Sequence, residues 1–521
     1  MKSKRYFNTT GFCMPERHYM IDPLRNQKII FDLIDKTQYF TIHAPRQTGK
    51  TTLLHELAHR LNKEGNYIST VFSVENAGYK SIPLPEAMHA IIESLHRESR
   101  QFLPENELPP NPSSYEKSHN LLYMYLSDWS FKIKKPIVLL LDEIDSLYDD
   151  VLVSVLRQLR NGFQGRPKHF PSTIALVGLR DVRDYKLKIR PDEASLGSGS
   201  PFNIKAESIL LGTFAKEDIT ELYAQHTNDT GQVFPKEIID RIYELTGGQP
   251  WLVNAVANEI IEKILKSDDT KKITIAIVEE AKENIIKRRD THLDSLIDKL
   301  KEPRVKNIIS AIINGDTLVY DSFNDDLVYV LDLGIVAEKN NDIVFANEIY
   351  REIIPRVLNF SMQKNIREVG IISWYINPAG KLDMDKLLKA FQEFYRENSE
   401  MWLEKFDYKE AGPHLLLMAF LQRIINGGGK INREMAVGTG RTDLLIEFND
   451  ERFVLELKLK RLPSAKQKGL DQISRYLDTL GMTKGYLILF ELKPSTVIPW
   501  ETRVKWEDVS HQNKTITVVE M

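Results

Sequence analysis

Up to about residue 209 the chain alternates short, continuous apolar runs with amphipathic stretches. Residues 39–43 are followed by an amphipathic 53–61. A second run covers 68–74, a third covers 137–141 with an amphipathic 147–159 behind it, and a fourth covers 174–178. Short, continuous β-rich runs predict strands of a parallel sheet, and helices between them predict its crossovers. Two stretches break this rhythm and are expected as loops: the proline-rich 104–114, and 192–201, which contains Gly197, Ser198, Gly199 and Ser200. From 216 to about 286 the period is helical throughout.

The pattern changes after about residue 292. Helices are expected near 305–313 and 325–333, followed by strands at 335–338 and 343–345 around a turn at Asn340 and Asn341. Helices closed by a small hairpin suggest a winged helix. Residues 359–384 are mixed and punctuated by proline and glycine, as a linker is. The last stretch reads as helices (384–394 and 413–425), strands, a helix (470–480) and a strand (486–490). The expected fold class is α/β: a parallel sheet (1–214) with a helical lid (215–290), a winged-helix domain (291–358), a linker (359–384) and a C-terminal α/β domain (385–521).

Composition narrows the function classes. A chain of 521 residues is too long for one core, and 42% hydrophobic with 27% charged residues is the make-up of ordinary globular protein. Lysine plus arginine (70) nearly balances aspartate plus glutamate (73), so attraction to nucleic acid has to come from a local patch. Cys13 is the one cysteine, which excludes an intrachain disulfide and a cysteine-based metal cluster. The longest apolar runs, such as 415–421, are about half the roughly 18 residues needed to cross a bilayer. A cytoplasmic protein without a membrane partner is expected.

Directly after the run 39–43 comes Ala44, Pro45, Arg46, Gln47, Thr48, Gly49, Lys50, Thr51 and Thr52, leading into a helix. This is a phosphate-binding loop with alanine in place of its first glycine. Backbone amides and the helix N-terminus suit a β-phosphate, Lys50 neutralises β- and γ-oxygens, and the Thr51 hydroxyl suits Mg2+. The run 137–141 delivers Asp142 and Glu143 at its end. Asp142 would orient the magnesium shell and Glu143 would position or deprotonate the attacking water. ATP is therefore the expected cofactor. The plainer alternative is that both acids only cap the next helix.

The loop, Asp142 and Glu143, the run 174–178 followed by Arg180, and Gly248-Gln249-Pro250 in the lid make residues 6–358 resemble the AAA-like ATPases related to the STAND class. That resemblance implies that Pro250 packs near adenine and that Arg180 senses the γ-phosphate. It also implies a homo-oligomer assembled on a signal, with a protein activator. Arg157 and Arg160 are read as solvated helix charges in preference to fingers acting on a neighbour. The expected second helix of the winged helix carries Asp325, Asp326 and Asp332, which phosphates would repel, so a protein-contact or regulatory role is expected there.

In the last domain a two-residue turn at Asn449 and Asp450 would set Asp443 opposite Glu456, with Lys458 on the same sheet face. Paired carboxylates suit Mg2+ or Mn2+, and a lysine beside them can activate water or stabilise a charged phosphate. The plainer reading is a surface hairpin, although charges between Val454, Leu455, Leu457 and Leu459 usually need a reason to stay. The arrangement resembles the PD-(D/E)XK nuclease superfamily over about 387–490, with Thr442 where the family name has proline. The resemblance implies a catalytic core of Asp443, Glu456 and Lys458, a helix-borne carboxylate at Glu410, and a Gln-x-x-x-Tyr element at Gln472 and Tyr476. Between Arg452 and Lys468 six cations face the single acid Glu456, a local patch that suits nucleic acid, DNA in particular.

The sequence thus reads as an ATP-controlled, metal-dependent nuclease, with a prokaryotic defence role by analogy. The alternative is a STAND-like signalling or scaffold ATPase whose nuclease-like domain is inactive and only binds. A DNA-translocating motor ranks last.

Overall fold

The protein is described from a computed structural model covering residues 5–179, 204–288, 296–313, 318–321, 323–363, 375–377, 380–405, 412–426, 430–437, 440–460, 464–491 and 504–521. The chain forms two compact units, Met1–His292 with Leu331–Ile335, and Leu293–Val330 with Val336–Met521.

In the first unit α1 (Lys28–Asp35) leads into β1 (Tyr39–His43), α2 (Lys50–Glu64), β2 (Ile68–Ser73), α3 (Leu84–Ser99) and α4 (Leu121–Lys132). Then come β3 (Ile137–Asp142), α5 (Asp149–Gly162), β4 (Thr173–Gly178) and β5 (Lys205–Leu210). The strands form one parallel sheet in the order β2-β3-β4-β1-β5. The apolar runs are continuous because both faces are covered. Tyr39, Phe72, Leu139, Leu141 and Leu176 pack with α3, α4 and α5. Their neighbours in sequence, Phe40, Val71, Val138, Leu140 and Val177, pack with α1 and α2. The side-chain alternation of each strand therefore feeds two cores. β5 escaped the pattern: its residues are mostly exposed, as an edge strand tolerates. The expected loop 104–114 holds two short 3-10 turns, Glu105–Glu107 and Pro112–Ser114. The expected loop 192–201 lies outside the described residues.

The helical stretch behind the sheet divides into α6 (Lys216–Thr230), α7 (Lys236–Thr246), α8 (Pro250–Asn258) and α9 (Ile275–Arg288). Its first two breaks fall on glycines with left-handed φ, Gly231 at 79° and Gly247 at 57° with Gly248 at 72°, whereas the third follows a π-helical turn (Glu259–Ile264) and turns at Lys266 and Ser267, at φ 55° and 57°. At Gly248 the reason is also steric. Its carbonyl accepts from the Phe214 amide at 2.8 Å, and an added Cβ would lie 2.0 Å from the Phe214 carbonyl oxygen.

The second unit runs α10 (Pro303–Ile313), α11 (Asp325–Asp332), β6 (Val336–Lys339), β7 (Asp342–Phe345), α12 (Glu348–Gln363), α13 (Met384–Lys405) and α14 (Gly412–Asn426). β8 (Lys430–Val437), β9 (Gly440–Phe448), β10 (Glu451–Leu459), α15 (Ala465–Thr479), β11 (Lys484–Phe490), β12 (Lys505–His511) and β13 (Lys514–Glu520) follow. β6 and β7 form a hairpin about Asn340 and Asn341, whose φ values of 53° and 66° suit a primed turn. α12 continues to Gln363 with Pro355 inside it, and α13 runs on to Lys405, so helix extends beyond the apolar periods at both places. The larger sheet has the order β12-β13-β11-β10-β9-β8, with β11 parallel to β10 and β13. α15 covers the face carrying Leu445, Val454, Leu487 and Val518. Rings from α13 and α14, Phe391, Tyr395 and Phe420, gather with Phe490 at the end of β11. Among the described residues no helix is long and apolar enough to cross a membrane.

Gly248→Ala is expected to destabilise the first unit by roughly 3 kcal/mol or more, through clash and positive φ together. Gly231→Ala, where an added Cβ meets nothing within 4 Å, should cost about 1 kcal/mol for φ alone. Scanning calorimetry of the two variants checks the contrast, and equal shifts would refute the steric account.

Candidate functional site

β1 ends at His43 and the chain turns through residues 44–49 into α2. Gln47 (φ 58°) and Gly49 (φ 88°) take left-handed backbone, which folds the loop back over the N-terminus of the helix. Ala44 fits in place of glycine: it is fully buried, its amide donates to the Gly178 carbonyl at 3.3 Å, and its own carbonyl accepts from Lys50. Lys50 Nζ donates to the carbonyls of Ala44 and Pro45, each at 2.8 Å, and Thr48 Oγ1 donates to Pro45 O at 2.8 Å. Burial pulls the Lys50 ammonium down to about 8, against the opposing pull of Asp142 and Asp145.

β3 brings its carboxylates to the same edge of the sheet. Asp142, 5% exposed, accepts from Thr51 Oγ1 at 2.8 Å and from the Glu143 amide at 2.9 Å. Burial pushes its carboxyl upward, and those two hydrogen bonds oppose the shift. A divalent cation between the Thr51 hydroxyl and Asp142 would offset the desolvation, so the donor set fits magnesium. Glu143, at φ 60°, accepts from the Ser73 hydroxyl at the end of β2, and burial raises its carboxyl too. Asp145 accepts from the Leu179 amide at 3.1 Å and so ties the end of β3 to the end of β4. Ser73 and Asp145 carried no signal in the sequence, because their relevance appears only once β2, β3 and β4 lie side by side.

The lid reaches the loop through Gln249. Its Oε1 accepts from Leu252 N at 2.6 Å as the cap of α8, and its Nε2 donates to the carbonyls of Arg46 and Gln47 at 3.4 and 3.3 Å. Pro250 lines a cavity of about 370 Å3 together with Gln47, Thr48, Gly49 and Thr52. Residues before α1, among them Asn8, Cys13 and Tyr19, close its other side. This N-terminal strap went unread in the sequence because it has no period; it is held by contacts such as Cys13 N to Thr52 Oγ1 at 3.0 Å and Trp251 Nε1 to Thr9 O at 2.8 Å. Arg180 lies outside the described residues.

In the second unit Asn449, at φ 51°, turns the hairpin, and the register pairs Phe448 with Glu451 through Leu444 with Leu455. One further step along that register is Asp443 with Glu456, although the side chain of Asp443 lies outside the described residues. Glu456 is fully buried and pairs with Lys458 Nζ at 2.8 Å. Both share the sheet face of Val454, which α15 covers; on α15, Gln472 Nε2 donates to Tyr476 Oη at 2.8 Å. Glu410 lies outside the described residues. Among the described residues, no group of three or more His, Cys, Asp or Glu side chains gathers as a metal site.

Residues 14–355 match the family model described as AAA-like domain. No curated protein matches the chain. Among solved structures, the chain is similar to a Walker-type ATPase of Pyrococcus abyssi, at 15% identity and TM-score 0.48, over 67% of this chain and 99% of that one. It is also similar to the Thermotoga maritima RuvB Holliday junction branch migration motor, at 15% identity and TM-score 0.35, over 64% and 97%. A third is the Aeropyrum pernix Orc1 protein, solved in complex with DNA, at 12% identity and TM-score 0.36, over 64% and 91%.

The depressed Lys50 value has a sign that can be measured. Below about pH 8 the empty protein carries the full cost of burying the ammonium, and that cost is relieved as pH rises from 8 toward the ordinary 10.5. A bound triphosphate favours the ammonium, so binding near pH 9 should take up a proton and weaken by up to about tenfold per pH unit above 8. Calorimetric titration of ATP in buffers of different ionisation enthalpy should show proton uptake near pH 9 and none from this group near pH 6.5. Identical apparent enthalpies at pH 9 would refute it.

Proposed function

We propose that this chain, which belongs to the AAA-like domain family and is a P-loop ATPase, uses ATP to control a metal-dependent nuclease carried in its second unit. The observation that carries the reading is the fully buried Glu456 paired with Lys458 on the face that α15 covers with Gln472 and Tyr476. That combination supports the reading of a PD-(D/E)XK-like core, in which Asp443 would complete the carboxylate pair.

In the ATPase, Lys50 and the backbone amides of residues 47–51 bind and orient the phosphates. Glu143, restrained by Ser73, stands at the end of β3 where it can orient the attacking water and accept its proton. Magnesium, held by Thr51 and through Asp142, would neutralise charge on the β- and γ-oxygens. Asp145 holds the backbone entering Arg180, the residue assigned to γ-phosphate sensing by resemblance. In the nuclease, Asp443 and Glu456 would hold Mg2+ or Mn2+, and Lys458 would stabilise charge on the scissile phosphate or activate water. Nucleic acid is the partner of this unit, DNA in particular. Of the cations between Arg452 and Lys468, Lys458, Lys460 and Lys466 pair with Glu456, Glu520 and Glu507, so a nucleic acid would have to displace those carboxylates to use them. The winged-helix-like segment is assigned to protein contact, and a homo-oligomer with a protein activator is the state in which the two activities would be coupled.

Purified protein on linear and circular DNA and on RNA, with magnesium or manganese and with or without ATP, tests both halves. Cleavage should fall about 100-fold or more in Asp443→Ala. Glu143→Gln should keep ATP binding while losing turnover by about 100-fold or more. Cleavage in Lys50→Ala that no longer responds to ATP would establish the control. An Asp443→Ala protein as active as its parent would sink the nuclease assignment and leave the ATPase standing.

A further inference from the structure

Two residues lining the cavity beside the phosphate loop carry a buried polar atom without a hydrogen-bond partner, Tyr19 Oη and Asn254 Oδ1; Tyr19 has the charges of Arg5 and Asp229 beside it, and Asn254 has no such neighbour on its own helix. Asn254 lies on α8 with Pro250 and Trp251 one turn before it, and all three line the cavity. It is 8% exposed, and its Oδ1, closed to solvent, has no hydrogen-bond partner, so a turn of the side-chain amide has to bring it to the cavity. A buried amide oxygen left unpaired costs on the order of 1–3 kcal/mol, and native folds rarely carry that cost without a reason. Around it α8 is uniformly buried and apolar, from Leu252 and Val253 to Ala255, Val256 and Ala257. Leucine or alanine would serve packing at this position without the cost.

The position within the cavity says what the partner is. Phosphate-loop residues Gln47, Thr48 and Gly49 form one part of the wall, so the phosphates of a bound nucleotide end there. The volume of about 370 Å3 falls in the range of small-molecule sites, about 300–1,000 Å3, and it extends away from the loop between the N-terminal strap and α8. What fills it is the nucleoside end of the same ligand. An unpaired acceptor calls for a donor, and a nucleoside offers two kinds: the exocyclic amine of the base and the hydroxyls of the sugar.

We propose that Asn254 is a specificity-determining residue of this ATPase, its amide oxygen accepting a hydrogen bond from an N–H or O–H donor on the nucleoside of the bound nucleotide. The proposal rests on the ATP-binding reading of the phosphate loop. A site that pairs a buried acceptor with a ligand donor rejects analogues lacking the donor, because the acceptor is then left unpaired.

The test is binding of ATP, purine riboside triphosphate, 2′-deoxy-ATP and 3′-deoxy-ATP by the full chain and by Asn254→Leu and Asn254→Asp, with thermal melting to confirm folding. The parent should bind ATP roughly tenfold or more tighter than one of the three analogues. A penalty on purine riboside triphosphate identifies the base amine, and a penalty on a deoxy analogue identifies the sugar hydroxyl. In Asn254→Leu that preference should shrink to about twofold, through loss of affinity for ATP with the analogue unchanged. Asn254→Asp keeps an acceptor and should keep the preference. Should Asn254→Leu not fold, Asn254→Ala, which also removes the acceptor, takes its place: a preference reduced to about twofold supports the acceptor role and a retained one overturns it. A parent that binds all four nucleotides equally, or a folded Asn254→Leu with the parent's preferences, also overturns the proposal. A parent that binds no nucleotide overturns the ATP-binding reading itself, which Lys50→Ala, expected to lose all four nucleotides alike, separates from a failure at Asn254.

Discussion

A single desolvated ammonium governs the first unit. Lys50 is buried at the N-terminus of a helix, where the backbone dipole already disfavours a cation. It stays useful only because groups from several parts of the chain converge on it: the carbonyls of Ala44 and Pro45, and the charges of Asp142, Asp145 and Glu143. That convergence is possible because β4 lies between β1 and β3, so the segments leaving β1 and β3 open on either side of it at one sheet edge. Ligands of open parallel sheets bind at such an edge. The sheet order, two cores and left-handed turns of the loop all serve to hold one cation and its counter-charges in place without a ligand. A nucleotide then supplies the missing anion, and Gln249 connects the same loop to the lid by donating to the carbonyls of Arg46 and Gln47.

How much of this was legible depended on whether the signal was local. Runs such as 39–43 and 137–141 announced strands within a residue of their ends because burial on both faces leaves few polar positions inside them, Thr41 among them. The hairpin register was equally legible, since a two-residue turn at Asn449 and Asp450 fixes every pair beyond it. β5 was harder to see because an edge strand with exposed residues has no such constraint. α13 outran its expected end because helix propensity continues through polar residues after the apolar stripe weakens. The N-terminal strap, Ser73, Asp145 and Asn254 were invisible for a different reason. Each acquires its role from a neighbour tens or hundreds of residues away, as Ser73 does from Glu143 and Thr9 does from Trp251.

The second unit presents the inverse electrostatic problem. Glu456 is fully buried on a strand whose neighbours Val454, Leu455 and Leu457 are all core residues, and Lys458 is nearly as enclosed. Replacing such an ion pair by well-packed apolar side chains is often neutral or stabilising, so stability alone gives no reason to keep it. A structural pair could serve to fix strand register, but here the two-residue turn and the alternation of Leu445, Val454 and Leu487 already do so. On the nuclease reading proposed above the reason is chemical: a carboxylate held out of water beside an ammonium would meet a cation and a phosphate where the dielectric is lowest. Gln472 and Tyr476 are hydrogen-bonded to each other on the helix that covers this face. Under the nuclease reading two units with unrelated sheets would share one device, a charge kept largely out of water for a phosphate-bearing ligand to meet.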